Sequence, residues 1–278
     1  MKKILVPCDF SKPAIGAFRI ALDLAAKTRG TVTLLNILEF PAISNPLMAT
    51  ASGYEHELIR ELQSKVRRDY EKLINRYTAR GVTVKTEVLP GTVAYMITDY
   101  SRRKGMDIIV MGTHGATGLR EAVMGSNAEK VVRRASVPVL TVKKYSKRPV
   151  RNIVFPNTLE TDKQADLVKK VSELQTFFKA KLHVLYVNTP TNFTADDVTH
   201  ERLKAFASRY KLRNYTLNVY NYPFEEAGIL HFANRIKADL VAMGTHGRQG
   251  LAHFLNGSLA EDIVNHANFP IWTYAMKS

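Results

Sequence analysis

The chain has 278 residues, 45% of them hydrophobic and 23% charged; that is ordinary globular composition, comfortable for two domains, and it excludes a disordered, collagenous or disulfide-scaffolded protein. Its one cysteine, Cys8, rules out an internal disulfide and fits a reducing compartment. The formal charge of +15 is uneven, with 24 Lys and Arg against 13 Asp and Glu in residues 1–147 and 16 against 12 in residues 148–278, so the surface favours anionic partners without choosing among nucleotide, nucleic acid and acidic membrane.

Lys2 and Lys3 precede an apolar run over residues 4–7 that Asp9 interrupts, too short for a signal-peptide core. No apolar run approaches the roughly 20 residues that span a bilayer, and a cytoplasmic location is expected. Residues 3–7 read as a buried strand. Residues 12–28 carry Ile15, Phe18, Ala21, Leu24 and Ala25 at helical spacing. Residues 31–38, rich in Val, Leu and Ile, read as a strand. A long helix is predicted over 55–77, a strand over 82–88, a helix over 93–103 and a strand over 107–111. A helix over 125–135 and a last strand over 137–142 complete the half. The second half follows the same order with shorter connections. Strands alternating with helices of this length imply parallel, doubly wound sheets.

The order repeats because the sequence does. Residues 107–126 read DIIVMGTHGATGLREAVMGS and residues 239–258 read DLVAMGTHGRQGLAHFLNGS, offset by 132. The opening strands are offset by about 150, so the first half holds about 18 extra residues, in 40–53 and in a longer following helix. Two homologous domains are expected, residues 1–147 and 148–278, joined by the basic, proline-ended segment 143–149. Each should hold a five-stranded parallel sheet of Rossmann-like type.

Gly112-x-x-Gly115, nine residues, then Gly125-Ser126 follow the fourth strand, and Gly244-x-x-Gly247, nine residues, then Gly257-Ser258 repeat the pattern. At the carboxyl end of a parallel sheet, glycines let the backbone approach a phosphate. A helix starting at the Gly-Ser pair aims free N–H groups at an anion. Turn glycines with a capping serine are the plainer alternative. No G-x-x-x-x-G-K-[ST] loop occurs, and no G-x-G-x-x-G follows the first strand.

On these residues the chain resembles a tandem universal stress protein. The resemblance rests on Val6-Pro7-x-Asp9-x-Ser11, Val110-Met111-Gly112-Thr113-His114-Gly115, Gly125-Ser126 and Val137-Pro138-Val139 in the first half. It rests on Ala242-Met243-Gly244-Thr245-His246-Gly247, Gly257-Ser258 and Phe269-Pro270-Ile271 in the second. In that family the G-2x-G-9x-G-[ST] pattern marks members that bind ATP, and the resemblance implies that the fifth strands meet near a pseudo two-fold axis. The resemblance implies that Asp9 contacts the adenosine moiety, that Ile37 offers a backbone contact to adenine and that Met111 lines the ribose and adenine side. Gly112, Gly115, Gly125 and Ser126 would hold ribose and phosphates. Val187, Met243, Gly244, Gly247, Gly257 and Ser258 are the implied equivalents. Pro7, His114, Asn127, Pro156, His246 and Leu259 adjoin these positions and complete the expected sites. Asn157 stands where the second half is expected to match Asp9. It hydrogen-bonds but places no negative charge, so the first site is expected to be the stronger.

His114 and His246 read as loop residues beside the phosphates, because neither has a visible orienting partner or a second ligand at metal spacing. Arg120 reads as a solvated charge or a γ-phosphate contact, Cys8 as a small residue packed at the sheet edge, and Trp272 as packing at the contact between domains. The basic run Lys65, Arg67, Arg68, Lys72, Arg76 and Arg80 reads as a solvated helix face. The expected function is a cytoplasmic ATP-binding stress-response and regulatory module that is not a fast catalyst. ATP, with Mg²⁺ held mainly by the nucleotide and water, is the expected cofactor; a homo-oligomer and an unidentified protein partner are expected. A slow ATPase or nucleotide-transferring enzyme on the same fold is the alternative. A nucleic-acid or membrane-surface role rests on charge alone, without a recognised motif.

Overall fold

The computed structural model describes residues 1–39, 52–78, 81–113, 126–159, 164–246 and 258–276. Its first half runs β1 (Lys3–Pro7), α1 (Lys12–Thr28), β2 (Thr31–Leu38), α2 (Ser52–Tyr77), β3 (Thr83–Pro90), α3 (Val93–Arg103), β4 (Ile108–Gly112), α4 (Ser126–Arg134) and β5 (Val139–Val142). The second runs β6 (Asn152–Pro156), α5 (Ala165–Phe178), β7 (Lys181–Asn188), α6 (Asp196–Arg209), β8 (Tyr215–Asn221), α7 (Glu225–Arg235), β9 (Leu240–His246), α8 (Ser258–His266) and β10 (Ile271–Met276), with a 3₁₀ turn at Pro190–Asn192 before α6. The long helix has 26 residues in the first half and 14 in the second, which accounts for most of the length difference between the halves.

Local chemistry explains the element boundaries. The Ser11 side chain accepts a hydrogen bond from the Ala14 N–H at 3.3 Å and so caps α1, with Pro13 in the first turn. Arg29, in a left-handed conformation (φ 50°), closes the same helix ahead of Gly30.

All ten strands form one sheet, in the order β3-β2-β1-β4-β5-β10-β9-β6-β7-β8. Every pairing is parallel except β5 with β10. That pairing joins the halves: Ile271 faces Thr141, Trp272 faces Leu140 and Thr273 faces Val139. Under the 132-residue offset Thr141 matches Thr273 and Val139 matches Ile271, so the register maps onto itself, as a two-fold relation requires. The side chains repeat the symmetry. The Thr141 hydroxyl donates to the Ile271 carbonyl at 3.2 Å, and the Thr273 hydroxyl donates to the Val139 carbonyl at 3.4 Å.

Alternation along the strands fills both faces. Ile4, Val6, Leu34, Val110, Leu140 and Trp272 pack with α1, α2, α5 and α6. Leu5, Leu35, Ile109, Met111, Val139 and Ile271 pack with α3, α4, α7 and α8. The segment between the halves is tied down. Tyr145 donates its hydroxyl to Asp23 at 3.0 Å, and the Arg19 guanidinium lies 3.7 Å from its ring centre. Cys8 is buried, and burial pushes its thiol up to about 11, which keeps it protonated. Lys65, Arg67, Arg68, Lys72 and Arg76 are exposed along α2, as a solvated face requires. No helix among the described residues is long and apolar enough to cross a membrane.

One aspartate per half ties the opening strand at its start. Asp107 accepts from the backbone N–H groups of Lys2 and Lys3 at 2.5 and 3.0 Å. Asp239 accepts from those of Arg151 and Asn152 at 2.8 and 2.9 Å. Burial by itself would raise the Asp107 carboxyl, but the two amide bonds and the nearby amino terminus hold it below the ordinary range. A carboxyl depressed in the folded state contributes stability that is complete above its unfolded pKa, about 3.9, and lost as pH falls through the folded value. Asp107→Asn is therefore expected to flatten the acid limb of a plot of urea midpoint against pH. An unchanged acid limb would show that these bonds contribute nothing on folding.

Candidate functional site

Strand order reverses between β1 and β4 in the first half and between β6 and β9 in the second. In open α/β sheets the crevice at the carboxyl ends of such strands is where ligands bind. Most of the residues singled out by the sequence stand there. Pro7 ends β1 and Pro156 ends β6. Ile37 and Val187, both half-buried, lie near the ends of β2 and β7. Met111 and Met243, both buried, precede the glycines of β4 and β9. Ser126 and Ser258 open α4 and α8, with Asn127 and Leu259 half-buried behind them, and His246 closes β9. His114, Gly115, Arg120, Gly125, Gly247 and Gly257 lie outside the described residues.

Gly112 has a specific steric reason. A Cβ there would stand 2.2 Å from the Pro13 carbonyl carbon and 2.5 Å from the Ala14 nitrogen. The end of β4 is thus pressed against the first turn of α1, the turn capped by Ser11. Asp9, exposed just before that turn, accepts from the Ser11 N–H at 3.0 Å. This bond orients its carboxylate and leaves the second oxygen free of hydrogen bonds from described residues.

The structure corrects one equivalence. β1 pairs Pro7 with Leu35, and β6 pairs Pro156 with Leu185. The next residues repeat one backbone bond, from the Cys8 N–H to the Leu35 carbonyl and from the Asn157 N–H to the Leu185 carbonyl, each at 2.9 Å. Phe10 and Leu159 then share a φ of 64°. The counterpart of Asp9 is therefore Thr158, and Asn157 occupies the place of Cys8. Asn157 is also held on both ends of its amide: it accepts from the Leu159 N–H at 2.7 Å and donates to Gln164 at 2.5 Å.

The second half opens a cavity of about 300 Å³ at the ends of β6 and β7, lined by Asn157, Thr158, Val187, Phe193, Arg202 and Glu225 among others. The last three escaped the sequence reading. The 132-residue offset sets Arg202 opposite Tyr70 and Glu225 opposite Val93, neither of which the sequence marks as a site residue. Tyr70 is buried against Phe10, their ring centres 5.1 Å apart, and its hydroxyl has no hydrogen-bond partner among the described residues. Arg202 instead lies over the Tyr186 ring at 5.8 Å and donates a long bond, 3.5 Å, to the Thr158 carbonyl. Burial raises the Glu225 carboxyl above the ordinary carboxylate range.

Comparison with known proteins bears on what this arrangement is. The model of the universal stress protein family matches twice, over residues 1–143 and 149–274. A universal stress protein of Methanocaldococcus jannaschii is 33% identical over 147 residues, 52% of this chain and 84% of that protein. One from Mycolicibacterium smegmatis is 24% identical over 96% of this chain and 95% of its own length. Among solved structures, a universal stress protein from Archaeoglobus fulgidus has the same fold across 98% of this chain and 97% of its own, with a TM-score of 0.74 at 18% identity. With both halves matched by the family model and the sheet closed about a two-fold pairing of fifth strands, the chain belongs to the universal stress protein family as a tandem, two-domain member.

Proposed function

We propose that this chain is a nucleotide-binding module of the stress response that holds ATP in each half, at the carboxyl ends of β1, β2 and β4 and of β6, β7 and β9. Family membership supports the stress-response role. The observation that carries the ATP reading is the glycine-serine pattern. In both halves it begins at the last glycine of a strand beside the reversal of strand order and ends at the first residue of a helix. The free N–H groups of α4 and α8 would meet phosphate oxygens. The cavity bounded by Thr158 and Val187 fits this reading, because it leaves room at the ends of β6 and β7. Bound Mg-ATP would bring its own metal, bridged by phosphates and water. On this reading the domains are residues 1–147 and 148–278, and the protein acts by holding nucleotide, not by turning it over.

Denaturing the purified protein and measuring the released nucleotide by chromatography tests the proposal. About two ATP per chain is the expected result if the two halves are both loaded. No nucleotide, together with no thermal shift on adding Mg-ATP, would sink it. Multiple-turnover release of ADP that disappears in Gly125→Val would replace the holding role with a slow enzyme.

A further inference from the structure

We propose that the second-half cavity reads the amino edge of a purine base with Glu225, at the start of α7, where the first half has Val93 and carries its carboxylate at Asp9 instead. The inference rests on the nucleotide reading above and deepens it. Under the structural register, the first half holds a carboxylate at Asp9 and an apolar residue at Val93. The second half has Thr158 in the first place and Glu225 in the other. The carboxylate has thus moved from the loop after the opening strand to the start of the third helix of the half.

The surroundings fit that role. Glu225 opens α7, whose first turn rests on β7: a Cβ on Gly228 would stand 2.7 Å from a methyl of Val187. Gly228 therefore lets α7 approach the strand position expected to face the base, and it holds Glu225 beside it. Among the described residues, none bonds to the Glu225 carboxyl or pairs with it, although it lines the cavity. A partly buried carboxylate left so is costly until a donor reaches it. Phe193, 72% exposed, also lines the cavity and presents an aromatic face on which a flat ring can stack. Arg202, on the same lining, supplies a cation for the anionic part of the ligand. An aromatic face, a carboxylate and a guanidinium around one cavity suit a nucleotide whose base donates hydrogen bonds. The exocyclic amino group of adenine does so. Hypoxanthine carries a carbonyl oxygen there, which would oppose the carboxylate.

The test uses the full chain with the first half disabled by Gly125→Val, so that binding by calorimetry reports the second half. ATP is expected to bind about tenfold more tightly than inosine triphosphate, in line with a hydrogen bond to a charged group. Glu225→Gln and Glu225→Val, in the same background and with unchanged melting temperature, are expected to bring the two affinities within about twofold. If ATP binds with the same preference in both Glu225 variants, the assignment is wrong while the nucleotide reading survives. If Gly125→Val binds neither nucleotide while the parent binds ATP, the second cavity is not a nucleotide site, and the assignment fails with the first half's role intact. Failure of the parent to bind ATP overturns both.

Discussion

Trp272→Ala is expected to lower the stability of the chain by about 3–5 kcal/mol, the cost of truncating a large buried aromatic side chain. Trp272 is the one tryptophan of the chain, and it is 2% exposed. It sits in β10 between β5 and β9, facing Leu140 across the antiparallel joint and stacked on Tyr274, with ring centres 6.2 Å apart. Strands flank it on both sides, and its ring lines a cavity of about 290 Å³ with Leu174 and Phe177, so truncation enlarges a space that is already there. Stability of native proteins is about 5–15 kcal/mol, which makes this loss a large fraction of the whole. Because the residue lies on the approximate two-fold, the damage should concentrate at the joint, and the urea transition followed by far-ultraviolet circular dichroism should broaden or split. Trp272→Phe should lose less, since an aromatic ring still meets Tyr274. A Trp272→Ala protein within about 1 kcal/mol of the parent would mean that the joint is held by backbone pairing alone.

Gly112→Ala and Gly244→Ala should differ although the sequence presents them as equivalent. At Gly112 the new Cβ meets the backbone of Pro13 and Ala14 at 2.2–2.5 Å, so α1 or β4 must shift as a unit. Overpacking of this kind costs about 1–3 kcal/mol and at times more, and backbone obstruction places Gly112→Ala at about 3 kcal/mol. At Gly244 the nearest atoms are a methyl of Leu167 at 2.8 Å and the thioether end of Met276 at 3.4 Å. Side-chain ends rotate away at small cost, so Gly244→Ala should lose about 1 kcal/mol or less. Equal losses in urea titrations of the two variants would show that α1 yields more easily than its tight approach implies. In the nucleotide-release measurement, Gly112→Ala should cost the first half its ligand before the second.

The asymmetry has a local origin. α1 begins at Lys12, five residues after β1 ends, under a serine cap. α5 begins at Ala165, nine residues after β6 ends, and the Gln164 side chain makes no capping bond there. One repeat has therefore kept a close helix start beside its glycine and the other has not. The carboxylates diverge in the same region, Asp9 in one half and Glu225 in the other.

Much of this protein was determined by sequence alone, where the controlling physics is local or repeats in the chain. Apolar residues at helical and strand spacing set α1, β2 and α3 to within a residue, because burying one face requires that spacing whatever lies opposite. The duplicated glycine-serine segment announced two like halves, and the family resemblance, carried in part by the Val-Pro-Val and Phe-Pro-Ile strands, implied where they would meet. Only the tertiary structure decided what depends on residues far apart in sequence. Asn157 resembled Asp9 as a polar residue after a strand and a proline. Counting from Pro7 and Pro156 already sets Thr158 opposite Asp9, and the pairing of β6 with β7 and the left-handed Leu159 place it there in the fold. Glu225 and Arg202 stand in no motif of the sequence. They became cavity residues only because α6 and α7 fold over the ends of β6 and β7, a juxtaposition set by side-chain packing across the sheet and not by any spacing along the chain.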